Sequence, residues 1–547
     1  MQPAYIAILR RIERLLIFLC LLAACSSPAP ILPESTSQAV PTIEPVATPT
    51  ISITSPPANP TWLPSLSSPT TESLAAIPPT SSPAPTATSL PAKQLPDPPP
   101  VRTHYALDAS LDYANHSLAV SQIITYTNKT TETLNALPLV IEPLSYSASA
   151  AAAEPAFDLH GLAWVGGDRI TSYQQRENYL NLVLPQPLPP GQALTVAISY
   201  TLQLPATSRL PNLRPYPFGY TDLQANLGDW YPFVPIHLPG KGWLIHPPHT
   251  YGEHLAHDIA DFDVTLRLAD SDPNLVIAAS VPPDPGPGAL HYRLPAARAF
   301  AWSASPYYEV ITRTVELPGS RPVTVSSYFF PFYENAGQRT ADTAVQALQV
   351  YSRLFGTYPL PSLSVVQADF LDGMEYPGLF FLGKDFYNWY NDSEQSFLTA
   401  LTAHETAHQW WYAVVGNDPA QEPWLDEALS TYSEVLFYEN TYPEALPWWW
   451  EYRVAYYKPY GRIDITIYDV QNAPGFYRPY RDAVYLNGAN FFAALRQLVG
   501  DPAFFAALDA YVAQSGYGQA SAQDFFAAVR SQTSADLAPL LAEYFRR

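Results

Sequence analysis

Four residues in the last third of the chain have the types and spacing of a metal site. His404, Glu405 and His408 form an H-E-x-x-H pattern, and Glu427 follows after eighteen intervening residues. A catalytic zinc ion takes three protein ligands and keeps one position open. We therefore expect His404, His408 and Glu427 to hold one Zn2+ per chain, with Glu405 as the base of a hydrolytic reaction.

Two helices are the elements that would bring these side chains together. Residues four apart lie on one helix face, so both imidazoles can reach one ion. Asp392 and Gln395 have the spacing of a capping box at a helix start, and Gly416 suits a helix end. The sequence therefore predicts a helix that begins at this capping box and ends at Gly416. Pro423 suits the first turn of a second helix that carries Glu427. The alternative is a pair of core histidines in a chance pattern.

The flanks of this pattern resemble the zinc signature of the aminopeptidase N family of gluzincin metallopeptidases. Gln409 and Trp410 follow the second histidine, and Glu427 lies within Trp-Leu-Asp-Glu-Ala-Leu-Ser, as in that family. The resemblance implies a β domain followed by a thermolysin-like catalytic domain. It also implies a zinc-dependent aminopeptidase whose substrates are peptides with a free N-terminus.

A second motif lies upstream of the zinc pattern. Asp372 to Tyr376 resembles the family's Gly-Ala-Met-Glu-Asn motif, with Asp372 and Tyr376 in place of its first Gly and its Asn. The resemblance implies that Glu375 holds the free amino group of the substrate, with Gly373 and Met374 beside it. The alternative is a strand-edge carboxylate without a ligand, and the protein would then be a zinc endopeptidase that cuts internal bonds.

Further candidates rest on the same resemblance or on helix spacing. Tyr485, followed by Leu-Asn-Gly, stands where the family has its transition-state tyrosine. Glu434 lies seven residues after Glu427 on the same helix face, and it either orients a zinc-bound imidazole or is a solvated charge. Residues 224–232, which end in Asp-Trp-Tyr-Pro, are similar to the family's substrate-facing loop.

Length and composition limit the classes of protein to consider. The chain has 547 residues, 47% of them hydrophobic and 13% aromatic, which is enough for more than one folded core. With 49 acidic and 28 basic residues, the formal charge of -21 would repel a phosphate backbone. Nucleic acid is therefore excluded as the expected partner.

The first 25 residues have the features of an export signal. Three arginines precede an apolar run from Leu15 to Ala24, which is too short to span a bilayer. The run ends at Cys25 in a sequence that resembles the lipobox of bacterial lipoproteins, and an ordinary signal peptide with a chance cysteine is the alternative. We expect a membrane anchor through a lipid on Cys25 and an extracytoplasmic location at the bacterial cell membrane or envelope. The other cysteine, Cys20, lies within the signal segment and would be removed when that segment is cleaved.

Composition and periodicity divide the remaining chain into three parts. Residues 26–100 are rich in Pro, Ser and Thr and predict a disordered stalk. In residues 101–330, apolar and polar residues alternate as in β-strands, which predicts an all-β, sandwich-like domain. Residues 331–547 show helical periodicity and predict a mainly α catalytic domain, which the resemblance makes thermolysin-like (α+β).

Two expectations complete the hypothesis. The chain ends 120 residues after Glu427, so we expect a short form without the helical C-terminal domain of larger relatives. A surface peptide-binding or scaffold protein that keeps the peptidase fold without turnover is the alternative from another class. Intact His404, Glu405, His408 and Glu427 argue against it, because a lapsed enzyme has no physical need for all four.

Overall fold

The structure, a computed structural model, describes residues 93–147, 155–210, 215–269, 272–471 and 477–546. The expected signal segment, Cys25 and residues 26–92 of the expected stalk lie outside the described residues. All described residues belong to one unit that spans Ala87–Arg547. Among them, no single helix is both long enough and apolar enough to cross a membrane, and one pair of helices bent by 119° meets the criterion by length and composition alone.

The β-rich region begins with strands whose side chains alternate between core and solvent. Tyr105, Leu107 and Ala109 point into the core and their neighbours point out, which is the period-two pattern of a half-buried strand. The strands are β1 (Thr103–Asp112), β2 (Ser117–Thr127), β3 (Leu134–Val140), β4 (Phe157–Trp164), β5 (Tyr173–Gln175), β6 (Tyr179–Leu188), β7 (Ala193–Gln203), β8 (Phe218–Tyr220), β9 (Ala225–Leu227), β10 (His237–Leu238), β11 (Gly242–Trp243), β12 (Ala260–Ala269), β13 (Val276–Ala279), β14 (Leu290–Ala297) and β15 (Trp302–Ser305).

These strands form four sheets. Their orders are β14-β12-β1-β2-β7-β4, β3-β6-β5, β13-β15-β9-β8 and β10-β11. The pairing of β1 with β12 is parallel, while β1 with β2 and β2 with β7 are antiparallel. Apolar side chains of the six-stranded and the three-stranded sheet share one buried cluster, so the two sheets pack as layers. The expected β-sandwich-like region is confirmed.

A five-stranded sheet lies at the start of the catalytic region. Its strands are β16 (Glu309–Val315), β17 (Val323–Phe329), β18 (Ser362–Ala368), β19 (Gly373–Tyr376) and β20 (Leu379–Gly383). Their order is β16-β17-β18-β20-β19, which leaves β19 at an edge. Because β16 and β17 precede residue 330, this sheet crosses the domain boundary that we expected from the sequence.

Helices make up most of the catalytic region. They are α2 (Glu334–Phe355), α3 (Lys384–Asn388), α4 (Phe397–Ala407), α5 (Trp424–Thr441), α6 (Leu446–Trp448), α7 (Tyr477–Arg481), α8 (Asn487–Val499), α9 (Asp501–Ser515), α10 (Ala522–Gln532) and α11 (Ala538–Tyr544); α1 (Pro143–Ser147) lies in the β-rich region. A π-helical turn at Asp482–Leu486 precedes α8. With the five-stranded sheet, they give the mainly α, α+β catalytic region that the sequence predicted.

The helix that carries the H-E-x-x-H pattern differs from its prediction at both ends. It begins at Phe397, and the Ser396 side chain caps it by accepting a hydrogen bond from the Thr399 amide. The predicted capping box of Asp392 and Gln395 is therefore wrong. The helix ends at Ala407 rather than Gly416, because the following backbone folds into a tight loop in which the amide of residue 415 bonds the carbonyl of residue 410.

Arg298 of the β-rich region and Lys93 of its leading segment both contact the catalytic region. The buried Arg298 guanidinium donates to the carbonyls of Tyr412, Val414 and Gly518 in the catalytic region, at 2.5, 3.2 and 2.6 Å. Lys93 Nζ donates to Asp509 at 2.6 Å. Residues 93–100, which we expected to belong to the stalk, therefore include a residue that contacts the catalytic region.

Candidate active site

Three side chains from α4, its end and α5 converge with the spacing of zinc ligands. His404 Nε2 lies 3.2 Å from His408 Nε2 and 3.3 Å from Glu427 Oε2, and the third separation is 3.5 Å. Ligand atoms about 2.0–2.1 Å from a tetrahedral zinc ion lie about 3.3 Å from one another. The donor set and its spacing therefore fit one Zn2+.

The other ring nitrogen of each histidine is held by an acceptor. His404 Nδ1 donates to Glu434 Oε1 at 3.0 Å, and His408 Nδ1 donates to the Trp411 carbonyl at 2.9 Å. A carboxylate and a carbonyl can only accept here, so each Nδ1 carries a hydrogen and each Nε2 faces the ligand cluster. Both imidazoles are thus oriented so that Nε2 can bind a metal.

Glu434 is fully buried and holds more than one donor. Besides His404, it accepts from Trp449 Nε1 at 2.7 Å and from the Arg453 guanidinium at 3.0 and 3.1 Å. Burial opposes its ionisation, but the Arg453 charge and the His404 hydrogen bond outweigh this and lower the pKa of Glu434 below its ordinary value. The structure thus places Glu434 behind a ligand rather than in solvent.

The ligand cluster is strongly polarised. Burial opposes charge on Glu427, but its hydrogen bonds with His404 and His408 lower the pKa of Glu427 to about 2. Burial likewise opposes charge on His408, and the pairing with Glu427 nevertheless raises the pKa of His408 to about 9. A metal ion would take the place of the protons that the imidazoles hold.

Glu405 lies one residue from a ligand and faces the catalytic sheet. Its Oε2 is buried without a hydrogen-bond partner among the described residues. A Cβ at Gly373 would collide with the Glu405 carboxylate, so a larger residue there would displace the Glu405 side chain. Burial raises the pKa of Glu405 to about 7, which suits a group that accepts and returns a proton near neutral pH.

Strand β19 brings Glu375 to the same cluster. Glu375 Oε1 lies 3.4 Å from His408 Nδ1, but that nitrogen donates to Trp411, and the carboxylate oxygen has no hydrogen-bond partner among the described residues. Met374 lines the cavity beside it. Tyr376, which replaces the family's asparagine, donates to Asp229 at 2.7 Å and so ties the strand to the β-rich region.

Glu253 is a third carboxylate beside Glu375 and Glu427, and the sequence did not predict it. Glu253, from the segment between β11 and β12, has a carboxylate oxygen within 4.8 Å of those of Glu375 and Glu427. Its segment is fixed by two buried pairs, His254 with Glu142 and His257 with Asp229, both at 3.0 Å. The segment has no helical or strand period, so no sequence signal pointed to Glu253.

Tyr485 reaches the ligand cluster from the π-helical turn. Its hydroxyl donates to Glu427 Oε1, and its ring lies nearly parallel to the His404 ring, 20° apart with centroids at 6.1 Å. Burial, and then the Glu427 charge, raise the pKa of Tyr485 well above its ordinary value, so the hydroxyl stays a donor.

Part of the expected substrate-facing loop lies elsewhere. Gln224 and Asn226 are buried and hydrogen-bonded to each other, and Trp230 belongs to the β-region core, where its Nε1 donates to the Phe300 carbonyl at 3.0 Å. Only Gly228 and Asp229 of this stretch line the cavity. The stretch faces inward because its apolar rings pack against neighbouring strands.

The site residues surround a cavity of about 320 Å³ between the β-rich and catalytic regions. It contains paired imidazoles, a carboxylate ligand, an adjacent base and a tyrosine hydroxyl, on a helix pair next to an edge strand. Fold and site together define the gluzincin class of zinc metallopeptidases.

Comparison with known proteins narrows this class. Residues 339–544 match the model of the peptidase family M1 domain. The chain is 26% identical over 235 residues to aminopeptidase M1-D of Oryza sativa subsp. japonica, covering 39% of this chain and 26% of that protein. It is 27% identical over 223 residues to aminopeptidase N of Lactobacillus helveticus, covering 38% and 26%. The chain thus spans about a quarter of the length of these curated relatives.

Solved structures share the fold along most of the chain. The M1 zinc metallopeptidase of Deinococcus radiodurans has a TM-score of 0.57 at 19% identity, covering 83% of this chain and 96% of that one. A mutant of that peptidase bound to a Tyr-Ser-Ala substrate has a TM-score of 0.55 at 19% identity, covering 83% and 97%. Residues 339–544 thus match a peptidase family M1 domain, and that family implies a zinc cofactor.

Proposed function

We propose that the protein is a zinc-dependent aminopeptidase that removes N-terminal residues from peptides outside the cytoplasm. One zinc ion per chain would be held by His404, His408 and Glu427. The observation that carries the proposal is Glu375: a buried carboxylate with an oxygen free of hydrogen bonds to the described residues, beside the ligand cluster. An unpaired buried carboxylate is costly, so its position favours a cationic partner such as a peptide N-terminus.

The charge around Glu375 supports the same conclusion. Oxygens of Glu253, Glu375 and Glu427 lie within 4.8 Å of one another. Burial, followed by the charges of Glu427 and Glu405, raises the pKa of Glu375 well above its ordinary value. An ammonium group placed there would relieve this repulsion. Tyr376, the next residue on β19, also lines the cavity and donates a hydrogen bond to Asp229.

The residues divide the reaction between them. When bound, the zinc ion would polarise the scissile carbonyl and lower the pKa of a water molecule. Glu405 would accept the proton of the attacking water and return it to the leaving amine. The Tyr485 hydroxyl would donate to the carbonyl oxygen as negative charge develops on it. Glu375 and Glu253 would hold the N-terminal ammonium and so fix the cut after the first residue.

The extracytoplasmic location and the anchor rest on sequence alone. The signal-like first 25 residues and the lipobox-like sequence at Cys25 support a lipid anchor in a bacterial membrane or envelope. Residues 26–92, rich in Pro, Ser and Thr, would separate the enzyme from that surface. Metabolic labelling with a fatty-acid analogue tests this part: label is expected in the parent and lost in Cys25→Ser.

A pair of peptides tests the activity. The zinc-loaded full chain is expected to release one residue at a time from a free-amine peptide and to leave its N-acetylated copy intact. Glu375→Gln and Glu253→Gln should each raise KM for the free peptide, whereas Glu309→Gln, an exposed residue of β16, should not. Equal internal cleavage of both peptides would indicate an endopeptidase. No cleavage by a protein that binds zinc would indicate a non-catalytic binding protein.

A further inference from the structure

Asp372 has a backbone conformation that favours glycine. Its φ angle is 65°, in the left-handed region that strains residues with a Cβ, although aspartate enters this region more readily than most. Asp372 immediately precedes β19, at the motif position where the resembled family has glycine. A strained residue persists only where its surroundings hold it, so its contacts indicate what it does.

The Asp372 carboxylate is held by a tyrosine from a distant part of the chain. Its Oδ2 accepts a hydrogen bond from the hydroxyl of Tyr477, the first residue of α7, at 2.9 Å. Burial, and then the Asp372 charge, raise the pKa of Tyr477 well above its ordinary value, so the hydroxyl keeps its proton near neutral pH. The hydrogen bond therefore ties β19, the strand that carries Glu375, to the start of α7.

The same helix packs against the segment that carries Glu253. The Tyr477 ring lies beside the Tyr251 ring, with centroids 5.7 Å apart. A Cβ at Gly252 would come within 2.6 Å of the Tyr480 hydroxyl, so the backbone of the segment lies directly against α7. Tyr477 and Tyr480 are three residues apart and so lie on the same side of the helix. Helix α7 thus contacts both elements that bring a carboxylate to the proposed amino-group site.

Helix α7 leads directly into the turn that carries Tyr485. The π-helical turn Asp482–Leu486 starts at the residue after Arg481, where α7 ends. The Tyr480 ring meets the Tyr485 ring edge to face, with centroids 5.9 Å apart. Because the turn continues the helix and the two rings pack together, a shift of α7 would move the Tyr485 hydroxyl with it.

We propose that Tyr477, through its hydrogen bond to Asp372, is a positioning residue that sets the distance of the Tyr485 hydroxyl from the amino-group carboxylates. This inference rests on the proposed aminopeptidase function. With the substrate ammonium held at Glu375, the first carbonyl has a fixed place, and Tyr485 can donate to its oxygen only if α7 keeps its position beside β19. Displacement of a reacting group by about 1 Å can cost about a hundredfold in rate. The hydrogen bond should therefore affect kcat more than KM or zinc affinity.

Variants of the zinc-loaded full chain test the role on one free-amine peptide. Tyr477→Phe removes the hydroxyl and keeps the ring, so kcat is expected to fall about tenfold to a hundredfold, with KM and zinc Kd within about twofold of the parent. Asp372→Gly should lower kcat by the same factor, because it loses the acceptor although its backbone suits a positive φ. Asp372→Asn keeps an acceptor oxygen and should retain most of the parent rate.

Two comparisons distinguish positioning from general stability. Tyr468→Phe is the matched control, since its hydroxyl donates to the Pro247 carbonyl of the Glu253 segment at 2.9 Å, and it should keep the parent kcat. In the Tyr485→Phe background, adding Tyr477→Phe should change kcat little, because the hydroxyl that Tyr477 positions is already gone.

The outcomes separate the two proposals. Parent-like kcat in Tyr477→Phe, or losses that multiply in the double variant, would overturn the positioning role and leave the aminopeptidase function standing. A change confined to KM would overturn the positioning role as well. Failure of the zinc-loaded parent to cleave any peptide would overturn the aminopeptidase function and this inference with it.

Discussion

Glu434 accepts a hydrogen bond from His404 Nδ1 at 3.0 Å and is itself fully buried, seven residues beyond the ligand Glu427 on the same helix. The carboxylate thus fixes the ring that carries the metal-facing Nε2. Arg453 and Trp449 hold the carboxylate in turn. The position of one zinc ligand therefore depends on residues that the motif does not contain.

Replacing Glu434 should weaken zinc binding. Glu434→Gln removes the charge behind His404, and partners of this kind typically contribute tenfold to a hundredfold in metal affinity, so the zinc Kd is expected to rise by about that factor. Chelator competition measures it. Glu439→Gln, on the same helix and paired with Arg496, is the matched control and should keep the parent Kd. Equal Kd values in Glu434→Gln and the parent would contradict the role.

The effect of Glu405 on turnover should be separable from metal binding. Glu405→Gln keeps the ligands and loses the base, so kcat is expected to fall about 10²- to 10⁴-fold or more with zinc content unchanged. His408→Ala should lose zinc as well as activity. Zinc is measured by mass spectrometry and turnover with a fluorogenic aminoacyl substrate. Parent-like turnover in Glu405→Gln would remove Glu405 as the base.

Tyr485 should act in the transition state rather than in substrate binding. Tyr485→Phe removes the hydroxyl and keeps the ring beside His404, so kcat is expected to fall about 10²- to 10³-fold with little change in KM. Steady-state kinetics on one peptide measure both. Tyr456→Phe changes an exposed tyrosine and should behave as the parent. A change confined to KM would argue against the role.

Zinc affinity should rise with pH. His408 in the metal-free protein has a pKa of about 9, so zinc must displace a proton at neutral pH. The apparent Kd is expected to fall about tenfold per pH unit for each proton displaced, up to about pH 9. Because the folded pKa exceeds the ordinary 6.5, the same pairing stabilises the metal-free fold below pH 6.5 and is lost as pH rises through about 9. Zinc titrations at pH 6.5, 7.5 and 8.5 test this, and a constant Kd would contradict it.

Arg298 should stabilise the junction of the two regions. Arg298→Met leaves the buried carbonyls of Tyr412, Val414 and Gly518 without their donor, and we expect a loss of about 2–5 kcal/mol in the free energy of unfolding. Chemical denaturation measures it. Arg293→Met, whose side chain is 71% exposed, should change stability by no more than about 0.5 kcal/mol. Equal losses in both variants would show that Arg298 has no special part in the junction.

Much of the candidate zinc site could be predicted from sequence because its geometry is local. His404 and His408 share a helix face, and eighteen residues suffice for a turn and a second helix that returns Glu427 to them. Period-two and helical patterns likewise indicated the β-rich and helical regions. The ends of α4 were misplaced, since the Ser396 cap and the loop after Ala407 depend on backbone contacts that the pattern does not show.

By itself, the sequence identified the candidate ligands and the candidate base, because spacing along one helix fixes which side chains share a face. It also determined the order of a β-rich region before a mainly helical one. Only the tertiary structure decided that Glu253 joins Glu375 and that Glu434 lies behind His404 with Arg453. These residues are far apart in the chain or lie on irregular segments. Their proximity comes from packing between elements, which no local period encodes.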